Sequence, residues 1–199
     1  RGLGDVYKRQ TSSSTSTSKD STRTLAVIES DAKSVEKSVA ALQETGDKSL
    51  FNEVTKTDEN GNKTTGYDTD AIYKAVKNFT DSYNSLIDEV GNSNTKSILR
   101  AGASMVNVTE ANRKSLSDIG ISIGADNKLT IDEEKFKKAD MSKVKAMFAD
   151  NSYYGTEVKR QAGRAESYAK SEAAKANTYQ KSGSYTYNYR TGELYNSTI

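Results

Sequence analysis

The chain has 199 residues, with 29 Lys and Arg against 27 Asp and Glu, and it contains no Cys, His, Pro or Trp. These absences exclude thiol chemistry, disulfides, imidazole bases and the usual zinc sites, so no metal or cofactor is predicted. Hydrophobic residues make up 34% of the chain and the mean hydropathy is −0.79, which favours a polar, mostly helical chain with one modest core. No apolar run is long enough to span a bilayer.

Residues 1–10, RGLGDVYKRQ, match one reading frame of a transposase-type sequencing adapter, in which GAT GTG TAT AAG AGA CAG encodes the last six of them. We therefore interpret them as adapter-derived and exclude them from the fold. The true N-terminus and any export signal are then expected upstream. Arg1, Lys8 and Arg9 against Asp5 account for the whole formal charge of +2. The remaining chain is neutral, so nucleic acid is not an expected partner.

A Ser/Thr-rich segment, residues 11–23, lacks apolar periodicity and is predicted to be a flexible linker. A helical domain is predicted over residues 24–150. Its first helix begins at Thr24 and stops before Gly46, which is predicted to cap it. Apolar residues recur there at alternating steps of three and four, the spacing of a heptad seam. The seam residues are Leu25, Ile28, Ala32, Val35, Val39 and Leu42.

Asn60-Gly61 separates two Thr-rich segments, Glu53–Thr57 and Lys63–Tyr67. This pattern predicts a β-hairpin with a type I′ turn, exposed or weakly ordered because its flanks are polar. A second long helix is predicted from Asp70 to Gly91 with the same three-four spacing. Its seam residues are Ile72, Val76, Phe79, Tyr83, Leu86 and Val90.

The two seams have two interpretations. They pack against each other in an antiparallel hairpin of Thr24–Thr45 with Asp70–Val90, or they form a surface for self-assembly. We favour the first because two seams in one chain can satisfy each other. Assembly through the remaining faces stays open.

A third helix is predicted to start at a cap, Asn94 or Thr95, and to bury Ile98, Leu99, Met105 and Val106. Thr109 is predicted to cap a fourth helical piece, which ends at Gly120. Two short strands, Ile121–Ile123 and Lys128–Ile131, are predicted around the turn-forming Ala125-Asp126-Asn127. The next helix has a capping box of Thr130 and Glu133, with Asp132 as the alternative cap.

The C-terminal part has a different character. Residues 151–182 form a predicted Ala-rich helix, which is expected to dock weakly or fray because small side chains bury little area. Residues 183–199 alternate Tyr185, Tyr187 and Tyr189 with polar residues. This Tyr/Asn/Gly-rich tail is either a half-buried strand or disordered.

Three separated runs, together with Ala71–Val90 before them, resemble the C-terminal region of the flagellar hook-associated protein 2 family, the filament caps. The runs are Leu116–Ile121, Asn127–Glu133 and Val144–Phe148. The resemblance extends over roughly residues 68–150. The residues of this family-like turn that we single out are Leu116, Asp118, Ile119, Gly120, Ile121, Leu129, Ile131, Asp132 and Phe148.

The resemblance implies an exported structural component of the bacterial flagellum, located outside the cell at the distal end of the filament. Such caps self-associate in rings, assist the assembly of flagellin subunits and in some cases bind host mucin. In that family, large β-domains are inserted near the position of the predicted hairpin. Two departures are evident: no N-terminal region of the family is present, and an Ala-rich helix replaces its hydrophobic closing helix.

These departures leave a second hypothesis, a free-standing secreted relative that acts as a binding or adhesion module for a host glycan or mucin through the Tyr-rich tail. An enzyme is not predicted, because the densest acidic cluster, Asp132-Glu133-Glu134, is expected to be the solvated start of a helix. The overall prediction is a mainly all-α fold, an elongated, coiled-coil-like bundle of three to five helices with a small two-stranded β element at Ile121–Ile131 and no catalytic site.

Overall fold

The structure of the chain, a computed structural model, describes residues 18–176, with the side chain of Ala176 left out. These residues form a mainly helical fold with two small antiparallel sheets, which confirms the predicted fold class. The helices are α1 Thr22–Leu42, α2 Thr69–Gly91, α3 Lys96–Ala111, α4 Arg113–Asp118, α5 Glu133–Lys138, α6 Met141–Phe148 and α7 Tyr153–Ala176, with a 3-10 turn at Gly46–Lys48. The strands are β1 Glu53–Thr57, β2 Lys63–Tyr67, β3 Ile121–Ile123 and β4 Leu129–Ile131.

Four long helices, α1, α2, α3 and α7, form an antiparallel bundle. Asp20, just before α1, accepts hydrogen bonds from the short turn that joins α2 to α3. At the other end, Gln43 donates to Thr156 near the start of α7 (3.0 Å), where Tyr154 also contacts Thr109 near the end of α3 (3.2 Å). Each helix therefore runs opposite to its neighbours, the arrangement of an up-and-down four-helix bundle.

The two heptad seams meet inside this bundle. All of their residues are buried, with at most 4% of any side chain exposed. The apolar spacing of three and four places them on one face of each helix, and α1 and α2 pack with these faces together. This is the intramolecular packing that the sequence favours.

Helix α7 is not the weakly docked helix that its composition predicts. It makes the most extensive helix–helix contact in the described residues, against α1, and it also packs on α3. Tyr154, Val158 and a stripe of alanines are buried at 1% exposure or less: Ala162, Ala165 and Ala169. Small side chains bury little area each, but they let two helices approach closely, and this second effect decides the outcome.

Several predictions about α1 and α3 need correction. Leu99 is 39% exposed and Val106 is only half-buried, because α3 turns a different stripe to the core. Thr109 caps nothing; it lies inside α3, buried beside Tyr154. Helix α1 starts at Thr22, inside the segment predicted to be a linker, and Ser21 caps it by accepting from the Thr24 amide.

The end of α1 also differs from the prediction. The helix stops at Leu42 with Gln43 as its cap, and Gly46 instead begins the 3-10 turn with a φ of 64°. Glycine is favoured wherever φ is positive, in a turn as much as at a helix end. The prediction that Gly46 adopts a left-handed conformation was therefore correct, but the prediction that it caps α1 was wrong.

The predicted hairpin is present, with Glu53 paired to Tyr67 and Thr57 to Lys63, but its turn is not type I′. Of the two central residues only Gly61 has a positive φ, 82°. The Asp58 carboxylate accepts from the Asn60 and Asn62 amides at 2.9 and 2.8 Å and organises a longer loop. The predicted tail at residues 183–199 lies outside the described residues.

Candidate functional site

The family-like turn is a compact unit of α4, β3, β4 and α5. Helix α4 ends at Asp118, two residues before Gly120. Gly120 has a φ of 83°, and a Cβ added to it would lie 2.8 Å from the Phe136 amide nitrogen. Only glycine fits so close to the next helix in this conformation. Strands β3 and β4 then pair, with Ile121 opposite Ile131, and the Asp132 amide donates to the Gly120 carbonyl at 2.9 Å. This hydrogen bond joins the residue after β4 to the residue before β3.

Asp132 is the cap of α5, and its carboxylate accepts from the Lys135 amide at 3.0 Å. This is the alternative cap weighed from the sequence, whereas Thr130 lies in β4 and makes no cap hydrogen bond. Glu133 pairs with Lys137 instead of reaching back to a cap. The acidic cluster therefore starts a helix, as expected.

Asn84 attaches this unit to α2. Its Nδ2 donates to the Leu129 carbonyl at 2.8 Å, and its Oδ1 accepts from the Leu129 amide at 2.7 Å. One side chain thus pairs with both backbone groups of a residue in β4, as a neighbouring strand would. The sequence places Asn84 on the second helix but gives no signal of this contact.

Ion pairs reinforce the attachment on either side of Asn84. Lys128 contacts Asp88 at 2.6 Å, and Lys137 lies between Asp70 at 2.8 Å and Glu133 at 2.6 Å. Hydrogen bonds to Asp70 and Glu133 raise the pKa of Lys137 above its usual range. Because these ion pairs lie largely in solvent, they orient the turn on α2 more than they stabilise the fold.

An aromatic cluster links α2, α6 and α7 in the bundle interior. Phe79, Phe148 and Tyr154 form edge-to-face pairs with centroid separations of 5.2 to 6.1 Å. Burial raises the pKa of Tyr83 to about 12, and burial together with Tyr83 raises the pKa of Tyr154 above its usual range. Both phenols stay neutral at physiological pH, and the aromatic rings pack against one another in the core.

Most of the singled-out residues of the family-like turn are buried. The buried ones are Leu116, Ile119, Gly120, Ile121, Leu129 and Phe148. Ile131 is half-buried, and the carboxylates of Asp118 and Asp132 are exposed. The turn therefore packs its apolar residues inward and keeps its acids in solvent.

A buried carboxylate that the sequence did not reveal lies at the end of the bundle where α1 begins and α2 ends. Asp20 is 8% exposed and accepts from Ser93 Oγ at 2.7 Å, from the Asn94 amide at 2.5 Å and from Thr95 Oγ1 at 2.6 Å. Burial raises the pKa of Asp20, but these hydrogen bonds outweigh it and hold the pKa below its usual value. Thr95, the residue before α3, makes no side-chain cap hydrogen bond to the helix, and Asp20 instead holds the Thr95 hydroxyl and the Asn94 amide just before the helix begins.

Within residues 18–176, no group of His, Cys, Asp and Glu side chains could hold a metal ion, and no helix is long and apolar enough to cross a membrane. What the described residues do present is a bundle built around apolar seams, with a small β unit attached by an amide and by ion pairs. This arrangement defines a helical scaffold domain.

Residues 93–198, just over half of the chain, match the family described as flagellar hook-associated protein 2 C-terminus. The chain belongs to this family, as the resemblance of the turn implied. The match begins after Ala71–Val90, so the resemblance of that helix stays a prediction, and it extends past residue 150, where the predicted resemblance ended. It is thereby a structural flagellar protein of the filament-cap type. Comparison with curated proteins and with solved structures gave no significant match.

Proposed function

We propose that this chain is the helical core of a filament-cap subunit, which is exported to the distal end of the flagellum, self-associates there and assists the assembly of flagellin subunits. The observation that carries the proposal is the family match over residues 93–198. That segment begins in the α2–α3 turn and includes α3, the whole family-like turn and α7.

The bundle supports this role by leaving its outer faces free. Because the heptad seams of α1 and α2 are buried within one chain, they stabilise the subunit, and association with other subunits uses exposed surfaces. The β1–β2 hairpin is such a surface, since every residue of β1 is exposed. It occupies the place between α1 and α2 at which the resembling family carries larger β-domains.

The alternative from the sequence is an adhesion module that binds host glycan or mucin. The family match gives this alternative no support, and the Tyr-rich tail on which it depends lies outside the described residues. The proposed partners are therefore further copies of the subunit and flagellin-like proteins.

Deletion of the gene in the bacterium that encodes it tests this function. We expect short or absent filaments, with flagellin recovered unpolymerised from the culture medium, and restoration of filaments by the native gene in trans. Filaments of normal length and number in the deletion strain would contradict the proposal.

A further inference from the structure

Two adjoining grooves run along the outer face between α3 and α7, with volumes of about 420 and 460 Å³. They share Ser104, Gln161 and Arg164, so they form one continuous surface. We call it the α3–α7 strip, formed by residues 97–111 of α3 and residues 153–168 of α7. At 1.5 Å per residue its length along α3 is about 20 Å.

The two walls of the α3–α7 strip differ in character. The α3 wall is built from small side chains such as Ala101 and Ser104, which leave room above the helix. The α7 wall carries the aromatic side chains of Tyr153 and Tyr168, which are 71% and 38% exposed and are among the few exposed large apolar residues of the described chain. Tyrosine and arginine are enriched where proteins bind one another, because they combine apolar area with a polar end.

The strip also carries more positive than negative charge, because Arg100, Arg160 and Arg164 line the two grooves together with one acid, Glu157, whose pKa both Arg160 and Arg164 lower. Arg160 is paired with Glu157, and its Nε donates to Glu157 Oε2 at 3.0 Å. Arg100 and Arg164 are exposed, and within residues 18–176 neither forms a salt bridge or a side-chain hydrogen bond. Two guanidinium groups that open on one groove are complementary to carboxylates, which they bind through paired hydrogen bonds.

Gln161 adds an independent observation at the centre of the strip. Its side chain is only 3% exposed, and its Nε2 donates to Glu157 Oε1 at 2.8 Å. Its Oε1 is buried with no hydrogen-bond donor. A buried acceptor without a donor is destabilising, so the Gln161 amide gains a hydrogen bond if a docked molecule offers it a donor. A backbone N–H of a docked polypeptide has this chemistry.

We propose that the α3–α7 strip binds an acidic polypeptide segment of a partner protein, with carboxylates paired to Arg100 and Arg164 and a backbone N–H directed to Gln161. A groove between helices with two tyrosines fits a peptide better than a polyphosphate or a lipid surface, which would be met by a broad basic face. The strip lies wholly within residues 93–198, yet the binding is a property of this surface and does not depend on the proposed cap function.

Fluorescence anisotropy with the full chain tests the proposal. The probe is a labelled peptide of about 15 residues, long enough as a helix to follow the strip, with glutamates repeated every three or four positions. We expect saturable binding that weakens as salt is raised. The same peptide with glutamine in place of every glutamate is expected to bind at least tenfold more weakly.

Two variants locate the site. R100Q/R164Q is expected to weaken binding of the acidic peptide at least tenfold, and Ser104→Tyr, which fills the groove and keeps both charges, is expected to do the same. The control R23Q/K74Q removes the same charge from exposed positions of α1 and α2 and is expected to leave binding unchanged. Circular dichroism confirms that each variant is folded.

The proposal is overturned if the acidic peptide does not bind, or if R100Q/R164Q and the control weaken it equally. It is also overturned if a single-stranded oligonucleotide or anionic lipid vesicles bind as tightly as the peptide and compete with it, because the strip is then a general polyanion site. Failure of any kind leaves the filament phenotype of the deletion strain untouched, so the two proposals fail separately.

Discussion

Single side chains connect parts of this chain that are far apart in sequence. Asp20 joins the entry of α1 to the α2–α3 turn across more than 70 residues, and Asn84 joins α2 to β4 across 45 residues. In both contacts the side chain satisfies backbone or hydroxyl groups that would otherwise lack partners. Such contacts replace covalent cross-links, which the chain cannot form without cysteine.

Asp20→Asn is expected to destabilise the fold by about 2 kcal/mol, because the amide nitrogen cannot accept the hydrogen bonds that the carboxylate accepts. The folded-state pKa of Asp20 lies below its unfolded value, so its contribution is present above about pH 4 and is lost as pH falls through the folded pKa. Urea denaturation of wild type and variant at several pH values measures this. The difference between them should shrink on acidification.

The matched control is Asp47→Asn, at an exposed aspartate of the 3-10 turn. It should unfold as the wild type does. A stability loss in Asp20→Asn that is the same at pH 7 and pH 3 would show that the charged form of Asp20 is not what the α2–α3 turn binds.

Asn84→Ala is expected to destabilise the fold by about 2 kcal/mol, since it leaves the amide and carbonyl of Leu129 without partners. Hydrogen exchange should show faster exchange at the Leu129 amide and through β3 and β4. Asn78→Ala, at an exposed position of the same helix, is the control and should alter neither quantity. Unchanged protection at Leu129 would mean that the strands hold together without α2.

The sequence predicted the roles of residues that act on their neighbours in the chain. It did not reveal the roles of residues whose hydrogen-bond partners are far away in the sequence. The left-handed Gly120 was predicted, and Asp132 was the alternative to the capping box of Thr130 and Glu133, because a left-handed glycine and a capping acid act on their own neighbours in the chain. Asp20 and Asn84 bind groups with no fixed spacing from themselves. No periodicity or propensity marks such a contact, so it emerges only from the folded arrangement.

Among the helices, α7 was predicted correctly from the sequence, but the prediction that it docks weakly was wrong. The Ala-rich composition of this helix was evident from the sequence, but buried area alone predicted weak docking. In the structure Ala162, Ala165 and Ala169 pack against the core, and α1 lies close over them. How closely two helices approach depends on how small the side chains between them are. An estimate of buried area does not include this effect.

Ala165→Leu is expected to destabilise the bundle by about 1–3 kcal/mol, because the added carbons have no space between tightly packed helices. The same substitution at Ala174, an exposed position of α7, is the control and should be nearly neutral. Thermal and urea denaturation compare the two. A stable Ala165→Leu variant would indicate that α7 is loosely docked after all.

The family-like turn depends on Gly120. Gly120→Ala is expected to cost about 2 kcal/mol or more, since alanine is strained at a φ of 83° and its Cβ would contact the Phe136 amide. Gly91→Ala is the control, because its added Cβ meets nothing within 4 Å. Gly91→Ala should be neutral or slightly stabilising in the same urea titration, and equal effects at the two positions would contradict the geometry.

At the scale of the whole molecule, the heptad spacing predicted the pairing of α1 with α2, but not the bundle. Two further helices complete it: α3, whose Gly102 lies against Val90 of α2, and α7, which lies against α1. The Ala-rich helix, which the sequence analysis interpreted as a departure from the family, lies within the residues that match the family. It serves here as the fourth helix of the bundle.

Immunogold electron microscopy tests the proposal that this bundle is a structural subunit of the flagellar filament cap. Antibodies raised against residues 18–176 are applied to intact cells of the bacterium that encodes the chain, with the deletion strain as the control for specificity. We expect gold at the distal tips of the filaments. Label along the filament shafts or on the cell body, with bare tips, would contradict the account.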